Sequence, residues 1–411
     1  MKGQDTQSRA YTVLIASIVV NLSIQVLYVW TLLKDKMKAP AIEDGWGWTS
    51  QQAGLPYTFA IIFFALGTLI GGRIQDKIGP RPVASIGGLM VGLGFIISGL
   101  IGDNLPGVTV GYGVVTGIGL GFGYGSVLPA SMKWFHPSKK GMIGGLVLGG
   151  FGLASVHYSF ITTSLLNRVS IQNTMLYIGI GIAAVAFTAA QFVRNPGSDY
   201  IPAQSEASKK STTYNKPLID FEWKEMLKTK RFYMVFILFL FSISIGQMML
   251  GNVVRIANVQ AGMTNTVFLI SAIAVMNASS RVIGGMVSDK IGRPNTLFIV
   301  IIIQMFNMVG FAFYSNPVVV TLGFIITGFC FGTFLAVFPA LTADQYGLKN
   351  YGVNYGLVYL AYGFAGVVAP VIADYFYDLG GNFYSAYMIC AAIMGVMLIL
   401  NFVLKKELAK V

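Results

Sequence analysis

Apolar residues in this chain come in long runs separated by short polar breaks, a pattern that predicts helices rather than alternating strands. A helix needs roughly 20 apolar residues to cross a bilayer. Runs near that length fall at 11–33, 52–72, 83–101, 108–132, 141–166, 172–193, 232–257, 264–287, 296–314, 317–343, 352–377 and 384–404. The longest polar interval, 194–230, divides these twelve spans six and six. It predicts a linker with a short surface helix around Asp220–Lys228. The expected chain is an all-α membrane protein: a six-helix bundle at 1–193, a linker loop at 194–230 and a second six-helix bundle at 231–411.

Composition strengthens the membrane reading. The 411 residues are 55% hydrophobic and 11% charged, where a soluble domain carries about 25% charged residues. A formal net charge of +12 raises nucleic acid as a partner, but the basic residues sit in short tracts between apolar runs, so none is expected. With the N-terminus placed inside, 22 of the 28 Lys and Arg fall in loops on that side or at the termini. Lys34, Lys36, Lys38 and Arg168, with Arg255 nearby, lie on the other. That asymmetry predicts a multi-pass protein of the plasma membrane with both termini cytoplasmic. The N-terminal residues lead straight into the first span, and no signal peptide is expected. Cys330 and Cys390 lie inside apolar runs and read as packing residues.

The two halves repeat. After the second span comes Gly72-Arg-Ile-Gln-Asp76-Lys77-Ile-Gly79-Pro-Arg81; after the eighth comes Gly285-Met-Val-Ser-Asp289-Lys290-Ile-Gly292-Arg293-Pro, 213 positions on. Parallel repeats of six spans are a transporter architecture in which the halves rock about a site between them. The motif ends a helix in any case, with glycine freeing the backbone. Its charges, Asp76, Lys77, Arg81, Asp289, Lys290 and Arg293, are also expected to latch helices together on the cytoplasmic side.

This duplicated motif across twelve spans resembles the major facilitator superfamily, and the likeness covers the whole chain. The fold it implies is two six-helix bundles related by pseudo-two-fold symmetry. The segment Lys133-Trp-Phe-His-Pro-Ser-Lys-Lys140-Gly-Met-Ile-Gly144-Gly-Leu-Val-Leu-Gly-Gly150-Phe-Gly152 is similar to that between spans four and five of monocarboxylate transporters and oxalate/formate antiporters. Gly381-Asn-Phe-Tyr384 is similar to the same group. Glu43-Asp-Gly-Trp-Gly-Trp48 looks like the acidic–glycine–tryptophan signature of that family, but here it follows the first span, whereas the family carries it before.

Glycines recur every fourth residue, at Gly113, Gly117, Gly121 and Gly125 in span four and at Gly141, Gly145 and Gly149 in span five. Such ridges let helix backbones approach closely in lipid and read first as packing.

Arg281 stands out, lying inside span eight about two turns before its charged end. An arginine at that depth costs about 2.5–3.5 kcal/mol on insertion scales. To snorkel it would have to reach about 10 Å along the helix, at 1.5 Å per residue. An anion in a central cavity is the better account, since a guanidinium offers a carboxylate two charge-assisted hydrogen bonds. Asn277 sits one turn earlier on the same face.

The oxalate antiporters, which resemble this chain in Tyr28-Val-Trp30-Thr-Leu, carry a second cation, a lysine, in span eleven; Tyr362 occupies the matching place here. One cation balances one anion, so a small monocarboxylate such as L-lactate or pyruvate is expected. The resemblance also implies an aromatic substrate pocket at Tyr28, Tyr124, Phe151, Phe331, Tyr359 and Tyr362. Taken singly, each of these residues is more often core filling. Asn21, Gln25, Gln247 and Asn252 put amides inside spans, mostly as bridges between helices.

Mammalian monocarboxylate transporters carry an aspartate where Asn277 stands and a lysine where Tyr28 stands. Their proton-carrying pair is therefore missing. Other titratable positions are His157, Asp374 and Asp344, or proton and substrate move together with charge balanced at Arg281. The leading expectation is proton-coupled symport of monocarboxylates by a monomer, with exchange of one carboxylate for another as the alternative. Two histidines far apart in sequence, and no metal-type spacing, argue against an enzyme, a metal site or a cofactor. A non-transporting sensor would often append a soluble signalling domain, for which the chain has no room.

Overall fold

The computed structural model describes residues 2–197, 200–202 and 220–409. The middle of the expected linker and the side chains of Tyr28 and Asp374 lie outside that description. The described residues are helical, with no strand. The first half holds α1 (Lys2–Ile24), α2 (Leu27–Lys38), α3 (Ser50–Ile78), α4 (Pro80–Ile101), α5 (Leu105–Val108), α6 (Gly117–Met132), α7 (Lys140–Leu166) and α8 (Ile171–Ala190). A short α9 (Trp223–Met226) follows. The second half holds α10 (Lys230–Gly251), α11 (Val253–Ala261), α12 (Val267–Ile291), α13 (Arg293–Phe311), α14 (Pro317–Tyr346), α15 (Tyr351–Gly380) and α16 (Tyr384–Leu408). Among the described residues, twelve stretches are long and apolar enough to cross a membrane, one for each run in the sequence.

Local chemistry sets the helix ends. Thr49 Oγ1 accepts from the Gln52 amide at 3.2 Å while Gln52 Oε1 accepts from the Thr49 amide at 2.9 Å, a capping box that starts α3. The repeated motif supplies the two turns α3–α4 and α12–α13. Gly79 (φ 88°) and Gly292 (φ 89°) end one helix in a conformation that side-chain-bearing residues avoid, and a proline follows at the start of the next.

The runs at spans one, four and seven are not single α-helices. Span one breaks at Gln25–Val26, where the buried Gln25 side chain accepts from the Leu27 amide at 3.4 Å and Tyr112 donates its hydroxyl to the Val26 carbonyl. Irregular backbone at that depth survives only where protein satisfies it. Span four begins as α5 and a π-helical stretch, Thr109–Thr116, before α6. Span seven turns at Asn252 into α11.

The halves meet through α3 against α15 and α7 against α12. At Gly72–Gly352 and Gly141–Gly285 an added Cβ on either glycine would overlap the facing backbone carbonyl. The span-four row faces inward within its own half, Gly113, Gly117, Gly121 and Gly125 each lying on α3. Outward, helices present side chains such as Ile180, Val185, Ile399 and Phe402 to lipid.

A Cβ at Gly121 would overlap the α3 backbone at Gly67 and Thr68, whereas Gly181 has open space around it. We expect Gly121→Val to cost at least about 1–3 kcal/mol through overpacking, read as a lower unfolding temperature in detergent. Gly181→Ala should leave that temperature within error of wild type.

Candidate functional site

Arg281 projects from α12 and is 3% exposed. Its Nε donates to Asn277 Oδ1 at 3.1 Å, one helical turn back. Its Nη1 donates to the Leu148 carbonyl of α7, in the other half, at 2.8 Å. The Phe151 ring lies 6.0 Å from the guanidinium carbon. Among the described residues no carboxylate pairs with Arg281. Main-chain and amide oxygens orient the fork but do not neutralise it.

The span-five glycines make this geometry accessible. Gly145 lies against the Arg281 carbonyl and Gly149 against Ala278 and Val282. A Cβ on Gly152 would stand 3.4 Å from Arg281 Nε and 3.2 Å from Ala278. The row that the sequence marks as a ridge in α7 therefore faces the opposite half and leaves room for the guanidinium.

Four of the expected aromatics converge nearby. Tyr124 and Phe151 lie 5.2 Å apart, Tyr124 and Tyr359 4.9 Å, and Tyr359 stacks on Tyr362 at 5.0 Å and 9°. Phe64 of α3, fully buried, touches all four at 5.3–6.0 Å. The Tyr355 hydroxyl meets that of Tyr124 at 3.3 Å. Neither Phe64 nor Tyr355 was among the expected residues. Tyr355 was findable, being one turn before Tyr359 on the same helix, but nothing in the sequence distinguishes Phe64 from Phe63. Phe331 stands apart: it packs into the gap left by Gly246 of α10, and no ring contact ties it to the cluster among the described residues. The Tyr28 side chain lies outside the described residues.

Asn21 donates to the Val147 carbonyl at 3.0 Å, next to the Leu148 carbonyl that Arg281 uses. His157 is half-buried on α7, its ring 4.2 Å from that of Tyr158. A crevice lined by Phe241, Ser244, Ile245, Met248, Cys390 and Ile393 shares no residue with the Arg281 cluster. Among the described residues no three His, Cys, Asp or Glu side chains gather as metal ligands.

In the repeated motif each aspartate meets backbone amides of the other half. At the face of the bundle that carries the termini, Asp76 of α3 accepts from the Gly352 and Val353 amides at the start of α15, at 3.1 and 2.9 Å. Asp289 of α12 accepts from the Gly141 and Met142 amides at the start of α7, at 2.9 and 2.8 Å. Each carboxylate thus sits on the positive end of a helix from the other half. Lys77 and Lys290 are exposed, and Arg81 binds Gln191 within its own half at 2.7 and 2.9 Å. These three do not cross between halves, because their side chains point away from the buried seam.

Arg293 does join the seam. It pairs with Asp289 at 2.6 Å and with Asp344 at 2.9 Å, and Lys140 reaches across from α7 to Asp344 at 3.1 Å. Lys140 is 1% exposed. Lys140 and Asp344 were missing from the expected latch, because a pair 204 residues apart leaves no local sequence signal.

A profile described as Major Facilitator Superfamily matches residues 13–326 and 308–410. The chain belongs to that family, whose fold and relatives are those of transporters rather than enzymes. It is 29% identical to the oxalate:formate antiporter of Oxalobacter formigenes, over 82% of this chain and 77% of that one. It is 19% identical to monocarboxylate transporter 13 of Bos taurus, over 80% and 74% of the two chains. Among solved structures it superposes on the human organic anion transporter with a TM-score of 0.71 at 13% identity, covering 96% of this chain and 99% of that one.

Removing Asp344 leaves two buried cations short of a partner, and breaking a buried pair costs about 3–5 kcal/mol. We expect Asp344→Ala to lower the unfolding temperature more than Lys140→Met does. Equal shifts, measured side by side in detergent, would mean that the network is not held by charge.

Proposed function

We propose that the chain is a secondary active transporter of small monocarboxylates, of the L-lactate or pyruvate class, coupled to protons. The observation that carries this reading is the buried, unneutralised guanidinium of Arg281 at the meeting of the two halves. A single full cation in low dielectric calls for one negative charge; a dianion would bring one charge too many. Tyr362, where the resemblance to oxalate antiporters implies a second cation, supports the same count. The aromatic cluster supplies apolar walls with hydroxyl donors, suited to a short alkyl or hydroxyalkyl tail. The names of the antiporter and monocarboxylate-transporter relatives support small carboxylates as cargo.

In this reading substrate enters between the halves, pairs with Arg281, and the halves rock to expose it on the other side. Arg281 already bridges them through Leu148, so a carboxylate arriving at its free N–H groups acts on the seam itself. Asn277 cannot titrate, and in this reading the proton moves with the substrate anion rather than on His157, Asp374 or Asp344, charge being balanced at Arg281. The basic loops support the terminal-bearing face as cytoplasmic. The aspartate-capped helix starts there are the joints that open in the inward-facing state, each of the two halves moving as a body. The antiporter relative favours a second reading, exchange of one carboxylate for another.

The test is uptake of radiolabelled L-lactate into proteoliposomes. An inward proton gradient should drive accumulation without internal counter-substrate; uptake that needs preloaded carboxylate and ignores the gradient would establish exchange. Arg281→Lys, which keeps the charge and loses the planar fork, should cut uptake about 100-fold or more at unchanged yield. Wild-type uptake by that variant would remove Arg281 from the site.

A further inference from the structure

The two joints of the terminal-bearing face are built on one plan with different parts. Gly352 and Val353, which cap onto Asp76, follow Gly141 and Met142, which cap onto Asp289, by 211 positions. At the same offset Asp344 matches Lys133, and Tyr351 matches Lys140. In the α7–α12 joint, Asp344 of one half meets Lys140 of the other. In the α3–α15 joint, the place of Lys140 is taken by Tyr351, a neutral residue whose hydroxyl donates to the Pro339 carbonyl of its own half at 3.2 Å. Among the described residues, Lys133 makes no ion pair with α15.

The end of the linker brings a further carboxylate to this joint. Asp220 Oδ1 accepts from the Leu348 and Lys349 amides, each at 3.0 Å, in the turn just before α15. A side chain at Gly347 (φ 77°) would collide with that carboxylate. The next residue, Phe221, donates its amide to the Tyr346 carbonyl at 3.1 Å and accepts from Asn350 and Asn354 of α15 at 3.1 and 3.0 Å. The start of α15 is therefore gripped from two sides, by Asp76 from the first half and by the linker from below. Lys133, at the end of α6, lies within the field of both carboxylates. Burial lowers its pKa, and the charges of Asp76 and Asp220 pull it back up.

We propose that Asp220 is a positioning residue of the α3–α15 joint. It fixes the start of α15 where Asp76 can cap it. The linker is then a working component of closure and not only a tether between bundles. This rests on the reading that the terminal-bearing face opens and closes during transport.

The experiment uses full-length protein in nanodiscs, spin-labelled at Arg73→Cys and Lys405→Cys. Both positions are exposed, one in each half, while Cys330 and Cys390 are buried and do not label. Electron–electron resonance measures the distance between the halves at this face. Asp220→Ala should raise the long-distance, open fraction about fivefold, the size expected for a lost helix-start cap. Asp220→Asn, which keeps an acceptor but loses the charge, should fall between it and wild type. Lys133→Gln, which removes the cation lying in the field of Asp76 and Asp220, should shift the distribution in the same direction, so the result does not hang on one variant folding. Asp76→Asn is the reference. If Asp76→Asn opens the face while the Asp220 and Lys133 variants match wild type, the linker is a passive tether and the inference fails alone. If none of the variants moves the distance, the reading of this face as a moving joint falls with it.

Discussion

A buried guanidinium with no carboxylate paired to it among the described residues is the constraint around which the centre of this transporter is arranged. Its charge cannot be screened at that depth, and several kcal/mol would be lost if its donors were idle as well. The fold answers with neutral oxygens: the Asn277 side chain on the same helix and the Leu148 carbonyl across the interface. These hold the fork in place and leave its charge available. The glycines of α7 follow from the same need, because a side chain at Gly152 would crowd Arg281 Nε.

The terminal-bearing face solves a different problem, that of holding the two halves together. Asp76 and Asp289 use backbone amides of a partner helix as their counter-charge. Such a bond needs the helix start at one position and orientation, which suits it to the proposed opening of this face. The ionic group Lys140, Asp344, Arg293 and Asp289 is denser than anything at Asp76. The two joints are thus unequal by composition, although they derive from one repeat.

Much of this was legible along the chain, and the reason is the solvent. Lipid forces backbone polar groups into helices and apolar side chains outward, so span number, the six-and-six division and the motif turns at Gly79 and Gly292 all leave local traces. The buried position of Arg281 was legible for the same reason, since a charge in an apolar run is costly enough to need partners inside the bundle. Which motif charges reach the seam was legible only in part. Asp76, Asp289 and Arg293 lie in it, whereas Lys77 and Lys290 are exposed and Arg81 binds Gln191 within its own half, and sequence alone does not report which way a side chain leaves a helix end.

What the sequence by itself determined is the set of membrane helices, their duplication and the one charge that must be satisfied near the middle, because each follows from the cost of exposing polar groups to hydrocarbon. The tertiary structure alone decided which oxygens meet that charge, that Phe64 completes the aromatic cluster while Phe331 packs against Gly246, where span one breaks, and that Lys140 crosses to Asp344. Those outcomes depend on contacts between residues tens to hundreds of positions apart. Their energy belongs to the packing of one helix on another, and no single stretch of chain contains it.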